Sequence, residues 1–122
     1  MIGPEEFDQL VVDAVASLPD EILKRMENVA ITVEEWPSRL QLRSARVPPG
    51  STLFGLYQGV PLTARTSHYG MVTPDRITIF RGPLTVYCRT PEAITEQVRK
   101  TVVHEIAHHF GMNEGQIRRL GY

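Results

Sequence analysis

In the stretch His104-Glu105-Ile106-Ala107-His108-His109-Phe110-Gly111-Met112-Asn113-Glu114, two imidazoles and two carboxylates stand at spacings suited to metal-assisted hydrolysis. On an α-helix, residues four apart lie about 40° apart around the axis, so His104 and His108 project from one face and can chelate one ion. Glu105 flanks that face, where its carboxylate can take a proton from water without occupying a coordination position. Gly111 can end the helix with positive φ at little cost, and the turn it allows can bring Glu114 back toward the histidines. Two neutral nitrogens and one carboxylate leave a ligand position open, as in catalytic rather than structural zinc sites. The spacing therefore predicts zinc held by His104, His108 and Glu114, with Glu105 as general base.

Chance does not readily produce this pattern. With 4 His and 10 Glu in 122 residues, two histidines around a glutamate at this spacing arise in roughly one shuffled chain per hundred, and adding Gly111 and an acid at 114 lowers that to about one in ten thousand. A surface helix that merely happens to carry histidines would also have to explain the glycine and the acid.

The segment resembles the zincin signature, and the glycine three residues after the second histidine makes it similar to the metzincins. Metzincins usually carry a third histidine, or in a few relatives an aspartate, where this chain has Glu114. They also need a methionine-containing turn well downstream, whereas only eight residues follow Glu114 and Met112 lies inside the motif. A closer resemblance covers most of the chain, through Gly55 to Thr63, Asp75 to Pro83 and Val103 to Gly111. It is to a family of small bacterial proteins, common in actinobacteria, regarded as zinc metallopeptidases with a minimal zincin-like fold. That resemblance implies a zinc site and peptide-bond chemistry.

The elements that must position these residues follow from pattern and composition. At 122 residues the chain is expected to form one domain, spanning 1–122, with a modest core that needs no disulfide. A net charge of −1 and a pI near 6.4 argue against a nucleic-acid binder driven by phosphate neutralisation. The lone Cys88 has no partner for an intramolecular disulfide, the N-terminus lacks the basic and apolar regions of a signal peptide, and no apolar run is long enough to span a bilayer. A cytoplasmic location without membrane partners is the expectation.

Phe7, Leu10, Val11, Ala14, Val15 and Leu18, at spacings of three and four after Pro4, predict an amphipathic helix over 4–18. Pro19-Asp20 then opens a short helical segment, Glu21 to Glu27, and Val29, Ile31 and Val33 alternate as in a strand that Trp36-Pro37 ends. Ser38 to Pro49 reads as either helix or loop, its arginines Arg39, Arg43 and Arg46 a solvated face. Leu53 to Tyr57 reads as a strand, with glycines beside aromatics suggesting close backbone packing. The polar segment 63–75, with His68 and Tyr69, is long enough to be a functional loop.

Arg76 to Arg81 is the clearest strand pattern, ended by Gly82-Pro83. By the zincin resemblance it is expected to be the edge strand on which an extended peptide or protein substrate pairs. Thr90-Pro91-Glu92 carries the N-cap, first-position proline and acidic first turn of a long helix. Ile94, Val98, Val102 and Ile106 repeat along one face of it, and Val103, Ala107 and Phe110 widen that face so that the histidines point into a cleft. His109, about 100° around the axis from His108, is expected in the core or behind the ligands rather than on the metal. His68 is a candidate for a fourth ligand or for an oxyanion donor, with Tyr69 and Tyr122 as alternatives. A short helix over 113–120 should close the chain.

The predicted architecture is α+β: a minimal zincin-like fold, with a small mixed sheet, an N-terminal helix and an active-site helix. The predicted function is peptide-bond hydrolysis by a zinc metallopeptidase. Two other classes compete: a zinc-stabilised module that binds peptide without cutting it, and a metal-dependent RNA-processing hydrolase. The small bacterial endoribonucleases of the last class carry a third histidine and no glutamate after the first, and this chain lacks a basic surface signature.

Overall fold

The computed structural model describes residues 2–48, 50–59 and 75–122. Helix α1 (Pro4–Ala16) starts with proline and two glutamates in its first turn and buries Phe7, Val11 and Ala14. Helix α2 (Asp20–Arg25) buries Ile22, and strand β1 (Val29–Glu34) follows. Helix α3 (Arg39–Ser44) resolves the ambiguous segment: Ser38 accepts from Gln41 N, and the Gln41 side chain accepts from Ser38 N, a reciprocal cap. Its apolar residues gave little signal because Leu40 is 70% exposed. Strand β2 (Gly55–Gln58) and strand β3 (Asp75–Phe80) complete the sheet. Helices α4 (Arg81–Tyr87), α5 (Pro91–His109) and α6 (Glu114–Arg119) follow. Among the described residues, no helix is long and apolar enough to cross a membrane.

The three strands pair in the order β1-β3-β2, with β1 parallel and β2 antiparallel to β3. The architecture is α+β with a small mixed sheet, as expected, but the strand placed at the edge in the sequence analysis is the central one. Ile77, Thr78, Ile79 and Phe80 are all fully buried, so both faces of β3 are covered, which is the burial of an interior strand rather than an edge. The one polar residue among these four is Thr78. Its hydroxyl lies 3.2 Å from that of Thr32 and 3.4 Å from Gln58 Oε1, so it is satisfied inside the sheet.

Arg81 also leaves the strand: it opens α4, whose Pro83 sits in the first turn, where a missing N–H costs no intrahelical bond. Gly82-Pro83 therefore starts a helix instead of ending a strand in a turn. The junction is pinned to the end of β1 by a two-pronged ion pair, Arg81 to Glu35 at 2.8 and 2.9 Å, which raises the Arg81 pKa from its ordinary value. Gly82 N donates to Glu35 O at 2.7 Å. A Cβ on Gly82 would stand 2.7 Å from that carbonyl oxygen and closer still to the Trp36 ring. Trp36 can swing into solvent but the backbone cannot, so Gly82→Ala should destabilise the fold by about 1–3 kcal/mol. An unchanged thermal midpoint would show that α4 is not held this closely.

One hydrophobic cluster joins α1, α2, the sheet, α4, α5 and α6. Helix α5 runs through it, with Ile94, Val98, Val102 and Ile106 fully buried together with Val103 and Ala107. Each such aliphatic side chain contributes about 1.5–3 kcal/mol relative to leaving it in water. The helix that carries the histidines is thus fixed along most of its length.

Candidate metal centre

Thr90 Oγ1 accepts from Ala93 N at 3.1 Å and Pro91 occupies the first turn, so α5 begins where its signals place it. It ends at His109, and Gly111 takes φ +72°, the left-handed turn expected of it. His104 and His108 lie one turn apart, with ring centroids 6.0 Å apart and planes at 74°. The two imidazoles thus stand side by side on one face of α5.

The last turn of α5 is more open than the sequence suggests. His104 is half-buried, while His108 and His109 are exposed, and Phe110, expected to widen the apolar face, is 46% exposed. Glu114 is the first residue of α6 and is exposed. A reciprocal cap between Asn113 and Gln116, at 2.8 Å each way, sets the start of that helix. Among the described residues, no three His, Cys, Asp or Glu side chains gather closely enough to hold one ion. The turn forms as predicted, but it does not by itself carry Glu114 to the histidines.

Glu105 is positioned by a contact that spacing along the helix does not reveal. Its Oε1 accepts the backbone N–H of Tyr57 at 2.7 Å, across a sequence separation of 48 residues. Phe80 N donates to Phe54 O, and Gly55 stands opposite Ile79. In an antiparallel ladder the backbone groups of Gly55 and Tyr57 therefore face away from β3. The outer edge of β2 is thus the edge beside α5, and Glu105 takes one of its donors.

Gly55 makes this approach possible. A Cβ there would lie 2.6 Å from Thr101 Cγ2 on α5 and 3.2 Å from Thr78 O. Threonine is stiff at χ1 and the carbonyl belongs to the sheet, so neither yields easily. Gly55→Val should push β2 off α5, costing about 1–3 kcal/mol in denaturant unfolding. A variant as stable as the native chain would contradict the close approach.

The other candidates divide. His109 stacks on the Tyr57 ring, centroids 3.9 Å apart, beside Asp75 rather than within a core. Tyr122 packs under the Arg99 guanidinium, 5.7 Å from its ring centroid, and its hydroxyl is buried without a partner among the described residues. It offers no donor to the histidine row. His68 and Tyr69 lie outside the described residues. Cys88 is no better as a nucleophile, because burial pushes its thiol pKa up. Sequence reasoning missed Tyr57 and Asp75; no local motif marks them, since both enter the site through strand pairing.

A mixed three-stranded sheet with its antiparallel edge strand laid along a helix that carries histidines one turn apart is a zincin-like fold. The sequence matches the model of the zincin-like metallopeptidases over residues 26–122, and the chain belongs to that family. Its fold is similar to that of a conserved hypothetical protein from Thermus thermophilus, with a TM-score of 0.57 and 19% identity, covering 89% of this chain and 94% of that one. No curated protein matches the sequence.

Proposed function

We propose that this chain is a zinc-dependent metallopeptidase in which His104, His108 and Glu114 hold the ion and Glu105 is the general base. The observation that carries the reading is the arrangement on α5: two histidines one turn apart on one face, and beside them a carboxylate bonded to the neighbouring strand edge. Zinc, when bound, supplies Lewis-acid polarisation of the scissile carbonyl and lowers the pKa of water. Glu105 accepts the proton of the attacking water and passes it to the leaving amine. An extended substrate backbone pairs with the outer edge of β2 rather than with the strand 76–81, through edge groups other than the Tyr57 N–H that Glu105 already holds.

The test is cleavage of a peptide library by zinc-loaded protein, read by mass spectrometry, with a chelator-treated control. Cleavage at defined bonds that the chelator abolishes is expected; no cleavage of any peptide by protein holding one zinc per chain would end the peptidase reading. The second reading is a zinc-stabilised module that binds peptide along β2 without cutting it. In that reading Glu105 serves only as the tie between α5 and β2 that its bond to Tyr57 N makes.

A further inference from the structure

We infer that Asp75, Tyr57 and His109 form a clamp that holds the carboxylate of Glu105 in place, which makes His109 and Tyr57 positioning residues. The catalytic meaning of the clamp rests on the reading of Glu105 as proton acceptor, although the clamp itself does not.

Glu105 and His109 are four apart on α5, so they form a second row beside that of His104 and His108. Both members of this row meet Tyr57. The carboxylate of Glu105 accepts its backbone N–H at 2.7 Å, and the imidazole of His109 lies flat on its ring, 3.9 Å between centroids and 17° between planes. The far end of the ring is tied as well: Tyr57 Oη donates to Asp75 Oδ2 at 2.6 Å. Tyr57 stands opposite Ile77, so Asp75 is its diagonal neighbour on the same face of the sheet, within reach of a long aromatic side chain. His109 Nε2 is 4.0 Å from the same Asp75 oxygen, which closes the triangle. Phe110 braces His109 edge-on at 4.9 Å.

These contacts act on one degree of freedom. Tyr57 lies one residue from the end of β2, at an outer edge with no further strand among the described residues, where a strand tends to fray. If its ring is held by His109 and Asp75, its N–H stays fixed, and so does the carboxylate that accepts it. A purely structural cluster at this place would pack better from apolar side chains. The observed one is polar and partly open, with His109 39% exposed and Asp75 17% exposed, and it converges on the residue that bonds Glu105.

Amide hydrogen exchange measured by NMR on the protein as purified tests the clamp without needing a substrate. The Tyr57 amide should exchange slowly for an outward-facing edge donor. Glu105→Ala should speed its exchange by about tenfold or more. His109→Ala should speed it similarly, while His109→Phe, which keeps a flat ring but no nitrogen, should restore the native rate; amides of Val98 and Val102 serve as the folding control. In an active preparation the same pair should separate kcat from KM, with His109→Ala lowering kcat and His109→Phe recovering it. The inference is overturned if the native Tyr57 amide exchanges as an open edge, if Glu105→Ala leaves it unchanged, or if His109→Phe behaves like His109→Ala. Slow, Glu105-dependent exchange in a protein that cuts no peptide would support the clamp and remove only the peptidase reading. Cleavage by a protein whose Tyr57 amide is open would do the reverse.

Discussion

Glu105→Gln is expected to lower kcat/KM for any cleaved peptide by about 10²–10⁴-fold while the bound zinc and the thermal midpoint stay close to native. The size follows from removing the proton acceptor, and the selectivity from what glutamine keeps. Its side-chain oxygen can still accept from Tyr57 N, the bond that ties α5 to β2, so the variant loses basicity without losing the contact. Because Glu105 lies beside His104 and His108 and is not among the proposed ligands, zinc content should not fall. Steady-state kinetics and metal content on the same preparation check this. An activity within a few-fold of native would remove Glu105 as the base. A binding module predicts something different again, namely retention of the peptide by the variant with no turnover in either protein.

The second large effect concerns the ion. Plasma mass spectrometry should find about one zinc per native chain, and His108→Ala should weaken zinc binding by more than about 100-fold, since even residues that only support a ligand are worth about 10–100-fold. His104→Ala should do the same. Glu114→Ala is the sharper question, because its helix start is capped by Asn113 and Gln116 away from any ready ligand set among the described residues. The proposal requires it to release zinc as well; full zinc content in that variant would move the third ligand elsewhere. Binding to the folded chain alone should also raise its stability, by about 4 kcal/mol with zinc at a thousand times Kd, so a chelator should lower the melting temperature of the native protein and not that of His108→Ala.

Much of this site was legible because its signals are local. The capping threonine, the proline after it and the row Ile94, Val98, Val102, Ile106 define α5 within one helical period, and all four of those residues are fully buried. The histidine pair and the turn at Gly111 follow from the same periodicity. Where reading along the chain failed, the answer depended on partners far away. The strand 76–81 was expected at an edge, but β1 and β2 pair on either side of it. Gly82-Pro83 looked like a terminator until its place in the first turn of α4 removed the reason for one. Phe110 looked apolar enough to be buried, but it caps the end of α5 and is left half in water.

The sequence by itself determined that the chain carries two histidines and a neighbouring carboxylate on one helix, and so the kind of chemistry it is equipped for. Only the tertiary structure decided which strand lies at the edge beside them, that Gly55 lets this strand approach the helix, and that Tyr57 fixes the carboxylate of Glu105. Helical periodicity is written in residues three and four apart. Strand order and register depend on pairings between segments dozens of residues apart, which no short stretch of sequence records.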